Sequence, residues 1–385
     1  MKQIYFDNAA TTPLHPKVFE KMRHFLTEDF GNPSSIHTYG RKTRVAIEEA
    51  REIIADFINA DASEIYFTSG GTEANNFVIN GISKTELVES KRNEVITSKA
   101  EHHSVLDTVH ELEKEGFYIR SMNVNKNTLI DSKTIIDSLS EKTSMISLMH
   151  VNNETGSVND IKGISSIVKQ KNIYFHTDAV QSFGKLKIDV KELGVDSLTG
   201  SAHKINGPKG TGFAYVKSGT PLSPLIYGGS QERNRRGGTE NVAGIIGLAE
   251  AVKIRKEIMD DALMHVHKLR NEFVDIIRSI DSENIFINGG DNSLPYILST
   301  TLSSKKYKVD PEAMLIFLDI NGLAVSNGSA CTSGTVKASH VILASGYSNE
   351  DAAGTIRFSF GLQNSLEEIK LAGDIFSKML KKFLR

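Results

Sequence analysis

The middle of the chain alternates short β-rich runs with amphipathic stretches, and this pattern constrains the fold more than any other feature of the sequence. The predicted strands span 65–68, 94–97, 145–150, 173–177, 196–199 and 212–216. Amphipathic segments such as 161–170 lie between several of them. Strands that alternate with helices are typical of an α/β domain, with a mostly parallel sheet flanked by helices.

After about residue 242 the pattern changes and predicts a smaller α+β domain. The elements predicted here are a helix over 243–280, a strand over 296–302, a helix over 311–318 and a helix over 365–384. A chain of 385 residues is also longer than one small core requires. We therefore predict a large domain at 15–255 and a small domain at 256–385, which also takes in residues 1–14.

Bulk composition excludes several classes of function. A formal net charge of −2 gives no reason to expect direct nucleic-acid or membrane binding. No apolar run approaches the ~18 residues that a membrane span needs, and the N-terminus meets charge and proline before a signal-peptide core could form. We expect a cytoplasmic protein.

The single cysteine, Cys331, excludes an intramolecular disulfide and an all-cysteine metal site within one chain.

Lys204 follows the predicted strand 196–199 and precedes a Gly-Pro turn. A lysine held at the end of a buried strand is partly desolvated, which lowers the pKa of its amine and makes it a nucleophile toward a carbonyl. The alternative is a surface lysine in a polar loop. On this segment alone that alternative is the better interpretation.

Three further segments at the ends of predicted strands carry residues that could bind or react with a ligand. Asp178 could hold a pyridinium nitrogen or simply cap the next helix. The run 69–76 could bind an anion at a helix N-terminus or form a plain turn. His102 could stack on a planar cofactor or move protons. A metal site with His103 is disfavoured, because adjacent residues rarely bind one ion.

Cys331 lies among small, polar residues that are bracketed by Gly328 and Gly334. This context predicts an exposed loop and favours a reactive thiol over a buried structural cysteine. Downstream, Arg357 stands between apolar residues. It could clamp a substrate carboxylate with two hydrogen bonds, or form a salt bridge within the fold.

Together and in this order, the segments resemble the cysteine desulfurases, which are class V aminotransferases with the fold type I architecture of pyridoxal 5'-phosphate (PLP) enzymes. The matching motifs span 5–12, 31–37, 149–156, 201–210, 236–241 and 326–334. The resemblance therefore runs nearly from end to end. The lysine segment and the loop around Cys331 are its most specific parts.

The resemblance implies a role for each matching residue. Lys204 would carry PLP covalently, and Cys331 would take the sulfur of L-cysteine as a persulfide and leave L-alanine. Asp178 would pair with the pyridine nitrogen, Gln181 would bond the ring hydroxyl, and His102 would stack on the ring and assist proton transfer. The implied phosphate contacts are Gly71, Thr72, Ser201 and His203, with Thr239 reaching it from the other subunit of a homodimer. Asn153, beside the cofactor, and Arg357 would position the substrate carboxylate.

Two positions depart from the family pattern. Ser104 stands where alanine is common and Asn327 where serine is common, and we expect neither to touch the chemistry. The chain also ends at Arg385, soon after the last predicted helix. Since desulfurases dedicated to an iron–sulfur scaffold often carry a longer tail, we expect a tRNA-thiolating enzyme as sulfur acceptor at least as much as such a scaffold.

Three other functions stay open on the sequence. The same scaffold could serve a selenocysteine lyase or another class V PLP aminotransferase, although the loop around Cys331 argues against a transaminase. The third alternative is a sulfur-carrier or regulatory protein whose PLP fold has lost its enzymatic activity. The joint presence of Lys204, Asp178, His102 and Arg357 argues against it.

Overall fold

A computed structural model describes residues 3–328 and 338–385. Its strands are β1 (Ile4–Tyr5), β2 (Ile65–Thr68), β3 (Glu94–Ser98), β4 (Tyr118–Met122), β5 (Thr143–Ser147), β6 (Tyr174–Asp178), β7 (Ser197–Ser201), β8 (Gly212–Val216), β9 (Ile285–Ile287), β10 (Ile297–Leu302), β11 (Leu323–Ala324) and β12 (Thr355–Ser359). Its α-helices are α1 (Pro16–Thr27), α2 (Thr38–Ile58), α3 (Gly71–Ser90), α4 (His103–Lys114), α5 (Ser132–Ser138), α6 (Ile161–Val168), α7 (Val190–Leu193), α8 (Gln231–Asn234), α9 (Val242–Asp281), α10 (Pro311–Ile320), α11 (His340–Ala344), α12 (Asn349–Ala353) and α13 (Leu366–Lys382). Short 3₁₀ turns occur at Ala62–Glu64, Lys169–Lys171 and Ala202–Lys204.

The central sheet confirms the predicted α/β class. Its seven strands run in the order β2-β8-β7-β6-β5-β3-β4. Strands β7, β6, β5, β3 and β4 are parallel, while β8 is antiparallel to both of its neighbours. All six predicted strands belong to this sheet. The one predicted at 145–150 begins earlier and ends at Ser147, because its ladder with β6 ends at the pair Ser147–His176.

Strand β4 was not predicted, and its position explains why. It pairs only with β3 in the sheet order, and most of its residues are partly exposed. The run Tyr118–Met122 carries Arg120 and Ser121 and therefore lacks the continuous apolar pattern of a strand buried on both faces.

Helices cover both faces of this sheet. On one face, buried residues such as Phe183, Phe213 and Leu248 form a core with α1, α2 and the first part of α9. On the other face, Phe77 of α3 and Val109 of α4 pack against the strands. Full burial of each such side chain contributes roughly 1.5–3 kcal/mol, so the two apolar layers fix the sheet from which the functional loops project.

A second core surrounds the antiparallel sheet β12-β10-β9. Phe273 of α9 lies at its centre, with its ring centroid 4.9 Å from that of Phe358 and 6.2 Å from that of Phe6. The N-terminal segment joins this core because β1 pairs with β11. Helix α9 runs without a break through position 255, so one helix contributes to both cores. The proposed domain limits stay a prediction.

A buried ion pair ties the segment after β8 to α2. The guanidinium of Arg51 donates to both carboxylate oxygens of Glu232, at 2.8 and 2.9 Å. Glu232 also accepts the backbone N–H of Phe67 at 2.8 Å, and Arg51 lies 4.6 Å from the centroid of the Phe67 ring. Both charged side chains are almost fully buried. Glu232 meets these partners from a backbone with φ 45°, in the left-handed region that a glycine would prefer.

Replacement of Arg51 by methionine should therefore lower the stability of the protein. The substitution leaves the Glu232 carboxylate buried without a countercharge, which costs about 3–5 kcal/mol. The matched control is Arg23→Met, which breaks an exposed pair with Glu20 that contributes about 1 kcal/mol or less. Thermal unfolding checks both variants. Equal melting temperatures for the two variants would contradict this account.

Candidate active site

The carboxyl ends of the parallel strands open on one cavity of about 360 Å³. Open α/β sheets bind ligands at this edge. The predicted site residues that line the cavity are Gly71, Thr72, His102, Asn153, Asp178, Gln181, Ser201, His203, Lys204 and Arg357. The structure thus brings these ten predicted residues together around one cavity.

Two predicted residues are not part of this lining. Thr239 is exposed and lies on a separate depression of about 140 Å³, which Ser69 and Arg236 also line. Cys331 lies outside the described residues.

Lys204 ends the 3₁₀ turn that follows β7, and the surrounding protein removes most of its water. Its Nζ donates to the carbonyl oxygens of Ala9 at 2.5 Å and Ala10 at 2.8 Å. Burial, together with the charge of Arg357, lowers the pKa of the Lys204 amine to about 7 against the opposing charges of Asp7 and Asp178. An amine with this pKa is substantially unprotonated near neutral pH and can attack a carbonyl.

Asp178 is the last residue of β6, and donors hold both of its carboxylate oxygens. Oδ1 accepts the N–H of Val180 at 2.9 Å, and Oδ2 accepts Nδ2 of Asn75 at 2.8 Å. The bond from Val180 closes a turn, and the next helix of the described chain, α7, begins only at Val190, so Asp178 does not cap a helix here. The same carboxylate borders the cavity, so it is also placed to accept a proton or hydrogen bond from a ligand.

The side-chain amide of Gln181 has a fixed orientation. Its Nε2 donates to the carbonyl oxygen of Ala9 at 2.9 Å, and its Oε1 accepts Nζ of Lys185 at 3.1 Å. Because a carbonyl oxygen can only accept, Nε2 must face Ala9. One N–H of the amide remains for the cavity that Gln181 lines.

Sequence reasoning did not identify Lys185. The residue is fully enclosed, and burial holds the pKa of its amine well below the usual value, with Lys204 and Arg255 acting in the same direction. The available signal was spacing, since Lys185 follows Gln181 by four residues.

His102 is the N-cap of α4, and its Nδ1 accepts the backbone N–H of Ser104 at 3.1 Å. The ring borders the open cavity, yet the surrounding protein lowers the pKa of His102 by desolvation. Ser104, for which the sequence predicts no contact with the chemistry, also lines the cavity and lies 2.8 Å from Nδ1 through its Oγ. The sequence did not predict this position of Ser104 beside the cavity.

The opposite end of the cavity has the properties of an anion site. Gly71 and Thr72 begin α3, a helix of 20 residues whose N-terminal N–H groups attract negative charge. A Cβ at Gly71 would fall 2.6 Å from Cγ2 of Val180, so a larger residue does not fit there. Ser201 and His203 line the same cavity. Burial lowers the pKa of His203 to about 4, so its neutral ring is a hydrogen-bonding group near neutral pH.

Arg357 forms the salt bridge within the fold that the sequence offered as one of two alternatives. Its Nη2 forms a salt bridge with Oδ1 of Asp7 at 2.9 Å, and its Nη1 donates to the carbonyl oxygen of Asn153 at 2.8 Å. The Nε of Arg357 and the Oδ1 of Asn153 are buried without a hydrogen-bond partner in the described part of the chain. Unpaired buried donors and acceptors cost free energy and are typical of binding sites.

These features fit PLP. The phosphate matches the N-terminus of α3, an aldehyde matches the unprotonated amine of Lys204, and a protonated ring nitrogen matches the carboxylate of Asp178. Metal binding has no comparable support, because the described residues contain no cluster of three His, Cys, Asp or Glu suited to an ion. Nor does any helix within 3–328 or 338–385 have the length and apolar character to cross a membrane.

Comparisons with known proteins identify the family. The family model described as Aminotransferase class-V matches residues 4–371. The chain is 45% identical to the cysteine desulfurase IscS of Dictyoglomus turgidum over 382 residues, which cover 99% of this chain and 95% of that protein. It is 44% identical to the putative cysteine desulfurase IscS 1 of Bacillus subtilis over 385 residues, with 99% and 100% covered.

Solved structures give the same result. A NifS-like protein superposes with a TM-score of 0.91 at 33% identity and covers 99% of this chain and 100% of its own. A structure described as SspA in complex with cysteine superposes with a TM-score of 0.79 at 34% identity, with 93% and 98% covered.

The pKa of Lys204 predicts how its reactivity depends on pH. Only the unprotonated amine attacks an aldehyde, so the rate of covalent PLP attachment to protein stripped of cofactor should rise with pH and level off above about 7. Absorbance after stopped-flow mixing measures this rate. A rate that keeps rising toward the pKa of free lysine, about 10.4, would show that the amine is not desolvated.

Proposed function

The chain belongs to the class-V aminotransferase family and is a cysteine desulfurase. From this premise we propose that Lys204 binds the cofactor and that Cys331 takes the sulfur. The enzyme removes sulfur from L-cysteine and releases L-alanine. The observation that carries the assignment is the desolvated amine of Lys204, in a cavity that Asp178, His102 and Arg357 share.

We propose PLP as the cofactor. When bound, PLP supplies an aldehyde carbon for amines and an electron-withdrawing pyridinium ring. Lys204 holds it covalently, Asp178 accepts the hydrogen bond of the ring nitrogen, and Gln181 donates to the ring hydroxyl. The proposed phosphate contacts are Gly71, Thr72, Ser201 and His203, with Thr239 supplied by a second subunit.

Arg357 and Asn153 are proposed to orient the substrate. A cysteine carboxylate can accept from the unpaired Nε of Arg357, and a substrate N–H can donate to the unpaired Oδ1 of Asn153. Both atoms are buried, so a matched ligand group gains more than it would in water. The salt bridge to Asp7 holds the guanidinium in place before substrate arrives.

Cys331 is proposed to take the sulfur. Its thiolate attacks the sulfur of the bound cysteine, so that an S–S bond forms while the C–S bond of the substrate breaks. The electron pair of the C–S bond stays with the carbon fragment, which takes up a proton and leaves as L-alanine. The enzyme is left with a persulfide on Cys331. A thiolate of the acceptor attacks its outer sulfur, so that a persulfide forms on the acceptor while the S–S bond of the enzyme breaks and the Cys331 thiolate is released.

The partner and location of the enzyme are also proposals. The persulfide sulfur passes to an acceptor protein, either an iron–sulfur scaffold or a tRNA-thiolating enzyme, in the cytoplasm. No direct contact with nucleic acid or membrane is required, because a protein acceptor carries the sulfur onward.

A homodimer is proposed because Thr239 does not border the main cavity of its own subunit. Several large apolar side chains of the N-terminal region are exposed, including Phe19, Phe30, Ile36 and Tyr39. The rings of Phe30 and Tyr39 lie side by side, with centroids 5.7 Å apart, and clustered exposed apolar side chains are typical of an interface. We propose that a second copy covers these side chains and supplies its own Thr239 to the bound phosphate.

Sedimentation at assay concentration should therefore give twice the mass of the chain. Thr239→Val should weaken PLP binding roughly ten- to a hundredfold, since one hydrogen bond to a charged group contributes about 1.5–3 kcal/mol, without lowering the mass. The exposed Thr27→Val is the matched control. A fully active monomer would contradict the shared site.

Replacement of Cys331 by serine separates the two halves of the reaction. Cys331→Ser should keep the PLP absorbance and change its spectrum on addition of L-cysteine, yet form no persulfide and no alanine above background. Serine is nearly isosteric but is a weak nucleophile at neutral pH and cannot hold sulfane sulfur. The chain has no other cysteine that could replace it.

Spectra and an alanine assay check this result. The control is Lys204→Ala, which should lose the covalent PLP absorbance as well as alanine. If Cys331→Ser released alanine at the normal rate without added thiol, the assignment of Cys331 would be wrong and a general PLP lyase would remain.

A further inference from the structure

Asn75 of α3 has every hydrogen-bonding group of its side chain occupied. Its Nδ2 donates to Oδ2 of Asp178 at 2.8 Å and to Oγ of Ser104 at 2.8 Å. Its Oδ1 accepts the hydroxyl of Thr199 at 2.6 Å. Because the Asp178 carboxylate only accepts, the amide cannot be reversed, and Nδ2 must face both Asp178 and Ser104.

The orientation of Asn75 determines where the hydroxyl proton of Ser104 points. The Ser104 Oγ accepts from Asn75, so its single proton is free to be donated elsewhere. The Nδ1 of His102 lies 2.8 Å from this oxygen. The backbone N–H of Ser104 points at the same Nδ1 from 3.1 Å. Two donors from one residue therefore meet on one ring nitrogen.

We propose that Ser104 is a positioning residue that holds His102 in the neutral tautomer with its proton on Nε2. A proton on Nδ1 would face the backbone N–H of Ser104 and displace the serine hydroxyl from its donor geometry. Nε2, the nitrogen left for the cavity, then carries the N–H. The chain of contacts runs from Asp178 through Asn75 and Ser104 to His102, so the residues at two sides of the cavity are held by one network.

The charges around His102 support a neutral ring. Desolvation lowers its pKa, and Lys204, His103 and His340 act in the same direction, while Asp178 opposes them. His103 precedes Ser104 on α4, and His340 lies on α11 with its ring centroid 4.8 Å from that of His103. The serine hydroxyl adds a directional preference that these charges lack, because it distinguishes one ring nitrogen from the other.

The catalytic role that this tautomer gives to His102 rests on the proposed function. With its proton on Nε2, His102 presents a donor to the cavity and stabilises an electron-rich group there, such as the sulfur of cysteine. An enzyme with the opposite tautomer would present an acceptor. The tautomer itself is a property of the protein and is measurable without substrate or cofactor.

Nitrogen NMR of protein labelled with ¹⁵N-histidine and free of PLP tests the proposal. His102→Gln assigns the resonances by their loss. Wild-type protein should show an unprotonated Nδ1 and a protonated Nε2 for His102 at neutral pH. Ser104→Ala should raise the proton affinity of His102 roughly three- to tenfold, because one hydrogen bond to the unprotonated Nδ1 is lost. Ser104→Thr keeps the hydroxyl and should restore the wild-type values.

The control is Ser166→Ala, which removes an exposed serine hydroxyl from α6 and should leave the His102 resonances unchanged. Wild-type protein with its proton on Nδ1 would overturn the proposal even if Ser104→Ala did not fold. So would a folded Ser104→Ala with unchanged shifts and pKa. Neither outcome bears on persulfide formation at Cys331, so failure here is distinguishable from failure of the proposed function.

Discussion

The removal of the Lys204 amine from water is the constraint on which the rest of the site depends. A lysine in solvent is almost entirely protonated near neutral pH and cannot attack a carbonyl. Here the amine is enclosed at the end of β7 and donates to the carbonyl oxygens of Ala9 and Ala10. Those carbonyls belong to the N-terminal segment, whose β1 pairs with β11 and whose Phe6 packs in the second core. The N-terminal segment thus connects the second core to the reactive amine.

Two residues of the cavity wall, Gln181 and Asn75, have side-chain amides whose orientation is fixed by hydrogen bonds. Gln181 shares the carbonyl of Ala9 with Lys204 and is held on its other side by Lys185. Asn75 connects Asp178 to Ser104 on the side of His102. An amide that is saturated at one end has one orientation, so each of these residues presents a fixed hydrogen-bonding group. Such preorganisation reduces the rearrangement that binding and chemistry require.

The sequence predicted those parts of the fold that local patterns determine. Buried strands such as β3 and β6 have apolar runs, and the lining of the cavity follows from motifs at their ends. Contacts between distant residues were not predictable in this way, because local patterns carry no information on them. The ion pair of Arg51 and Glu232 joins positions 181 residues apart. The roles of Lys185 and Ser104 likewise depend on neighbours that only the folded chain brings together.

Reductive trapping tests directly whether Lys204 is the amine that reacts with PLP. Protein incubated with PLP is treated with borohydride, digested and mapped by mass spectrometry. The pyridoxyl group should be found on Lys204, since its amine is both desolvated and open to the cavity. Modification of the buried Lys185 or of Lys209, with Lys204 unmodified, would contradict the assignment of the reactive amine and the site built around it.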